Sequence, residues 1–117
     1  MPNPIVLIVD DEPSVLYTTE LILQSQGYTV IGVGTVPEAL QLLKALSFDL
    51  LLLDCVPGNA ELVATARHLH PNLRIAICSG DPQQSICSQA DLVLHKPVPA
   101  PELLRQIAQL LPRAAVS

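Results

Sequence analysis

A chain of 117 residues has the length of one ordinary domain, and with half of them hydrophobic it can bury a core without disulfides or metals to hold it. Eleven acids against six bases give a formal charge of −5. The bases (Lys44, Arg67, Arg74, Lys96, Arg105 and Arg113) are scattered, which excludes a direct nucleic-acid surface and routes any gene control through a partner. One Phe, two Tyr and no Trp leave the core to Leu, Ile, Val and Ala.

Met1-Pro2-Asn3-Pro4 lacks the charged and apolar stretches of a signal peptide, and no apolar run is long enough to span a bilayer. Three cysteines, Cys55, Cys78 and Cys87, make an odd number without an export signal. They fit a reducing cytoplasm, and their spacing is not that of a zinc site. A cytoplasmic protein without a membrane partner is expected.

Ile5 to Val9 is a short apolar run rich in β-branched residues and stopped by Asp10-Asp11, so it is expected to be a buried strand. Pro13 suits a first helical turn, Val15, Leu16, Thr19, Ile22 and Leu23 recur at helical spacing, and Gly27 stops the helix. Tyr28 to Val33 is the second expected strand. Thr35-Val36-Pro37-Glu38 has the form of a capping box, with Ala39, Leu42, Leu43 and Leu46 as the inner face of the helix that follows. Asp49 leads into Leu50–Leu53, which ends at Asp54. Without polar alternation, this is expected to be a central strand covered on both faces.

Asn59 is placed to cap a helix to about His70, with Leu62, Ala66 and Leu69 facing inward. Leu73 to Cys78 is the fourth expected strand, Asp81 to Gln89 a short helix or turn, and Asp91 to Leu94 the fifth strand. A last helix begins near Pro101, with Leu103, Leu104, Ile107, Leu110 and Leu111 as its stripe. Strict alternation of strands and helices implies a parallel sheet with helices on both faces. The expected fold is α/β: a flavodoxin-like, doubly wound five-stranded parallel sheet in the order 2-1-3-4-5, with a short or irregular fourth helix. The tail after Pro112 is too short for an output domain, so residues 1–117 are expected to form a single domain.

In such a sheet, ligands bind beyond the carboxyl ends of the strands, where strands 1 and 3 diverge. Asp10 and Asp11 end strand 1, Asp54 ends strand 3, Ser79 ends strand 4 and Lys96 follows strand 5. Carboxylates crowded into one crevice repel each other by roughly 1 kcal/mol per pair at about 4 Å in water, and by several times that near a protein surface. A hard divalent cation relieves this. Mg²⁺, which favours one or two carboxylates, waters and a phosphate oxygen, is the expected cofactor. The residues also admit plainer roles: Asp10 and Asp11 as helix caps, Ser79 before Gly80 as a turn residue, Lys96 as a surface lysine.

Ile-Val-Leu-Ile-Val-Asp-Asp-Glu-Pro-Ser (residues 5–14), Leu51-Leu52-Leu53-Asp54 and His95-Lys96-Pro97 together resemble the receiver domain of two-component response regulators, over about Ile5 to Leu111. The resemblance implies that Asp54 is the phosphoacceptor, phosphorylated by a partner histidine kinase or histidine phosphotransfer protein and signalling to a downstream effector protein. It implies that Asp11 binds Mg²⁺ with help from Asp10 and Asp54, and that the Val56 carbonyl is a further ligand. Ser79 and Lys96 would hold phosphoryl oxygens, and the Lys96–Pro97 bond would be cis.

Three departures from the family carry their own expectations. Pro57 follows Asp54 one place sooner than is usual, which implies a shortened loop. Ser79 and Lys96 are closer in sequence than usual, which shortens the fourth helix. Val93 stands three places before Lys96, where the family carries its switch aromatic, so any switching must use the backbone or another side chain. The competing function is a degenerate receiver that works as an interaction module without phosphorylation. A phosphatase on the same fold would want a second carboxylate where Val56 stands, and a flavin site would want a phosphate loop after strand 1.

Overall fold

The apolar runs become strands β1 (Ile5–Val9), β2 (Thr29–Val33), β3 (Leu50–Leu53), β4 (Arg74–Ser79) and β5 (Leu92–His95). Between them run helices α1 (Pro13–Gln24), α2 (Val36–Ala45) and α3 (Asn59–Leu69), with α4 (Ala100–Leu110) after β5. Between β4 and β5, the described residues hold a five-residue 3-10 turn, Ser85–Gln89, where a short helix or turn was expected over Asp81 to Gln89; residues 81–84 lie outside the described residues. The structure is a computed structural model that describes residues 3–54, 58–80 and 85–111. All strands pair in parallel in the order β2-β1-β3-β4-β5, the doubly wound, flavodoxin-like arrangement.

Side-chain parity divides the core in two. Leu7, Leu51, Leu53, Ile75 and Ile77 pack under α2 and α3 with Leu43, Leu62 and Ala66. Val6, Ile8, Leu50, Leu52 and Ala76 pack under α1 and α4 with Leu23, Leu103 and Ile107. β1 and β3 are covered on both faces, which explains why Leu50–Leu53 shows no polar alternation. Complete burial of one such leucine stabilises the fold by about 1.5–3 kcal/mol. Gly32 on β2 lets α1 approach closely, since a Cβ there would stand 2.8 Å from Leu16 Cδ1.

The helix ends refine the sequence expectations. In α2 the Thr35 hydroxyl oxygen accepts from the Glu38 N–H at 3.4 Å. The Glu38 carboxylate, however, accepts a hydrogen bond from the Thr35 hydroxyl (2.9 Å) rather than from a backbone N–H. Leu46 and Leu69, expected to face inward, are 47% and 38% exposed. Each stands at the end of its helix, past the last buried residue of that face (Leu43 and Ala66). Asn59 is not the cap of α3 but its first helical residue, and the cap position belongs to Gly58 in a left-handed conformation (φ +92°). β2 starts at Thr29 and α4 at Ala100, each one residue from the expected boundary.

Polar anchors close the edge opposite the carboxyl ends of the strands. The Ile5 N–H donates to Asp49 Oδ2 (2.8 Å), and His70 Nε2 lies 2.6 Å from the Leu43 carbonyl, where it serves as donor. Gly58→Ala is expected to cost about 1–2 kcal/mol, because its φ is one that side chains rarely adopt. Its new Cβ would also meet Val36 Cγ2 at 3.3 Å. A lower urea midpoint at unchanged slope would register this loss.

Candidate functional site

Backbone bonds past the strand ends carry the site residues. The Asp10 N–H donates to the Val33 carbonyl (3.1 Å), the Asp54 N–H to the Val9 carbonyl (2.9 Å) and the Lys96 N–H to the Ser79 carbonyl (2.9 Å). Each ladder thus continues one residue beyond its strand, and Val9 pairs with Leu53. Asp10 and Asp54 therefore leave adjacent strands side by side, on the same face as Ile8 and Leu52.

Asp10 is buried, with 4% of its surface exposed. Its Oδ1 accepts the Glu12 N–H at 2.9 Å, so the capping role is real. Burial pushes its carboxyl above the ordinary range. The Glu12 N–H pulls it back, the nearby Asp54 carboxylate and a hydrogen bond shared with it push it further up, and the Lys96 charge offsets part of the rise. Lys96 reaches across from the end of β5 to form an ion pair with Asp54 Oδ1. Among the described residues, two neighbouring carboxylates thus face a single ammonium. The three line a cleft of about 660 Å³ between α1 and α4, with Val15, Ile22 and Leu103 among its apolar walls.

The other expected site residues are placed differently. Asp11 follows Asp10 along the chain with its side chain exposed, and it does not line the cleft. Ser79 ends β4, fully buried and level with His95 of β5. Val56, Pro57 and Cys55 lie outside the described residues. The Lys96–Pro97 bond is cis, as expected. Val93 packs half-buried against the α2–α3 core. Asn59 was missed as a site neighbour: its amide donates to the Asp54 carbonyl at 3.4 Å. The signal available was its place five residues after Asp54 in the sequence.

The donor set is hard carboxylate oxygen with surplus negative charge, which suits Mg²⁺, a cation that keeps several waters and needs one or two carboxylates. It does not suit a cation that demands a complete protein cage. Among the described residues, no three His, Cys, Asp or Glu side chains stand close enough together to hold a metal.

A doubly wound parallel sheet that gathers two carboxylates and a lysine beyond the carboxyl ends of strands 1, 3 and 5 defines the receiver class of α/β domain. The chain belongs to the response regulator receiver domain family, whose pattern matches residues 6–108. A receiver domain protein of Methanospirillum hungatei JF-1 is similar in structure, with a TM-score of 0.85 and 30% identity over 92% of this chain and 93% of that one. The response regulator TrrA of Thermotoga maritima, in complex with Mg²⁺-BeF, superposes with a TM-score of 0.83 at 25% identity, over 92% of this chain and 99% of that one. The cell cycle transcriptional regulator CtrA of Caulobacter vibrioides is 28% identical over 93% of this chain and 51% of its own length. The chain spans about half or less of the curated relatives it matches. Among the described residues, no helix is long and apolar enough to cross a membrane.

A carboxyl whose folded-state pKa is raised contributes stability below its unfolded pKa and loses it as pH rises through the folded value. Asp10→Asn keeps an oxygen for the Glu12 N–H and removes the buried charge. Without divalent cations, the variant is expected to melt at a higher temperature than the natural protein at pH 7. The two should converge as the pH falls below the carboxylate range. Thermal melts across that range check the sign.

Proposed function

We propose that Asp54 accepts a phosphoryl group from a histidine kinase or histidine phosphotransfer protein, and that the phosphorylated domain signals to an effector protein. The observation that carries this is the Asp54–Lys96 ion pair beside buried Asp10, at the edge where a doubly wound sheet binds its ligands.

An Asp54 carboxylate oxygen attacks the phosphorus of the donor. The new O–P bond forms as the P–N bond of the phosphohistidine breaks, and the departing imidazole carries its electron pair away and takes a proton. Such transfer depends on positioning and charge stabilisation. The β3 ladder fixes Asp54, and the Lys96 ammonium moves from the carboxylate to an oxygen of the incoming phosphoryl group, where it counters a charge of about −1.5 to −2. Asp10 and Asp54 would hold Mg²⁺, with the Val56 carbonyl as a further ligand and Asp11 joining them once its exposed side chain turns into the cleft; the ion supplies charge neutralisation when bound. Ser79 would donate to a phosphoryl oxygen after the β4 end rearranges.

Incubation with acetyl phosphate and Mg²⁺, followed by intact-mass spectrometry, is expected to show one added phosphoryl group, absent in Asp54→Asn. Lys96→Ala should slow acceptance by about two orders of magnitude, the usual cost of one lost charge-stabilising donor. A folded protein that gains no mass beside a working control receiver would favour the phosphorylation-independent interaction module.

A further inference from the structure

A side chain that braces the start of β5 lies at the far edge of the sheet from Asp54. Arg67, near the end of α3, donates through Nη1 to the Leu73 carbonyl (3.1 Å). Through Nη2 it reaches the Gln89 carbonyl (2.9 Å) and Asp91 Oδ2 (3.0 Å). The same Asp91 oxygen accepts the Ile75 N–H at 2.8 Å, and the Asp91 N–H donates to the Ile75 carbonyl at 2.8 Å. One guanidinium therefore ties α3, the start of β4, the end of the 3-10 turn and the start of β5.

β5 needs such an anchor. It is an edge strand of four residues and, among the described strands, it is hydrogen-bonded to β4 alone. A slip of one residue would turn every β5 side chain to the opposite face. Lys96, directly beyond the strand, would then leave Asp54. Among the described residues of the connection, a 3-10 turn stands in place of a full helix, with apolar contacts from Ile86, Cys87 and Ala90, and Arg74 Nη1 adds a longer ion-pair contact to Asp91 at 4.0 Å. At about 3.3 Å per residue, Asp91 and Lys96 stand roughly 16 Å apart, so the anchor acts through the strand and not by contact.

We infer that Arg67, through Asp91 and Gln89, is a positioning residue that fixes the register of β5 and so delivers the Lys96 ammonium to Asp54. This rests on the phosphoacceptor reading only for its consequence. The register itself is a property of the fold.

The test compares Arg67→Ala and Arg67→Lys with His70→Ala, which removes a brace at the same edge between α3 and α2 without touching β5. Phosphoryl acceptance from acetyl phosphate would be followed well below the melting temperature of every variant. His70→Ala should melt lower yet keep a rate within about twofold of the natural protein. Arg67→Ala should be slower by about tenfold while still binding Mg²⁺, because Asp10 and Asp54 directly follow β1 and β3 and keep their places. Arg67→Lys keeps the charge but not the fork, and should recover only part of the rate. Equal rates in Arg67→Ala and His70→Ala would overturn the inference.

If the natural protein takes no phosphoryl group, the proposed function fails instead, and the register is read from hydrogen exchange at the Lys96 N–H, bonded to the Ser79 carbonyl. Faster exchange there in Arg67→Ala than in His70→Ala sustains the inference, and equal exchange overturns it.

Discussion

Two carboxylates brought together by adjacent parallel strands, with one ammonium to answer them, set the terms for the rest of the molecule. The pairing of Val9 with Leu53 puts Asp10 and Asp54 side by side, and burial of Asp10 raises the cost of its charge. The repulsion is held in place by a sheet whose central strands are covered on both faces, and the hydrophobic burial of β1 and β3 is large beside it. Removing either neighbour changes what the remaining groups can hold: without Lys96, two acids face each other unanswered, and without Asp10, the ammonium and Asp54 simply neutralise one another.

The sheet also explains how distant segments can be so closely matched. Asp10, Asp54 and Lys96 are each carried by a backbone bond just past a strand, so their positions follow from strand register more than from loop conformation. The price of this arrangement falls on the edge. β1 and β3 have neighbours on both sides, whereas β5 has one, and it is β5 that carries the lysine. The Arg67–Asp91 network lies where an edge strand most needs help.

Much of this was legible in the residues. Unbroken apolar runs ending in acids announced buried parallel strands, and the short interval from Ser79 to Lys96 announced a connection too brief for a full helix. The exposed ends Leu46 and Leu69 were not legible, because a hydrophobic period does not say where the helix outruns the surface beneath it. Nor was the cap of α3, since Gly58 takes that place by its backbone and not by a side-chain oxygen. The anchors at the far edge left a subtler trace. Phe48-Asp49-Leu50 and Ala90-Asp91-Leu92 each set an aspartate directly before an apolar strand, and each aspartate accepts a backbone N–H from the neighbouring strand, at Ile5 and at Ile75. Charge before a strand looks like a solvated turn until the partner strand is known.

The helix termini add a last consequence. α2, α3 and α4 each carry a glutamate in the first turn (Glu38, Glu61 and Glu102), which answers the partial positive charge of the exposed N–H groups there. α1 has no acid in its first turn, and the negative charge ahead of it belongs to the segment Asp10 to Glu12, part of the site itself. The electrostatic cap of α1 is thus borrowed from the pocket. A cation drawn to the Asp10 carboxylate would compete with the Glu12 N–H for the same negative charge, which links the start of α1 to the occupancy of the pocket.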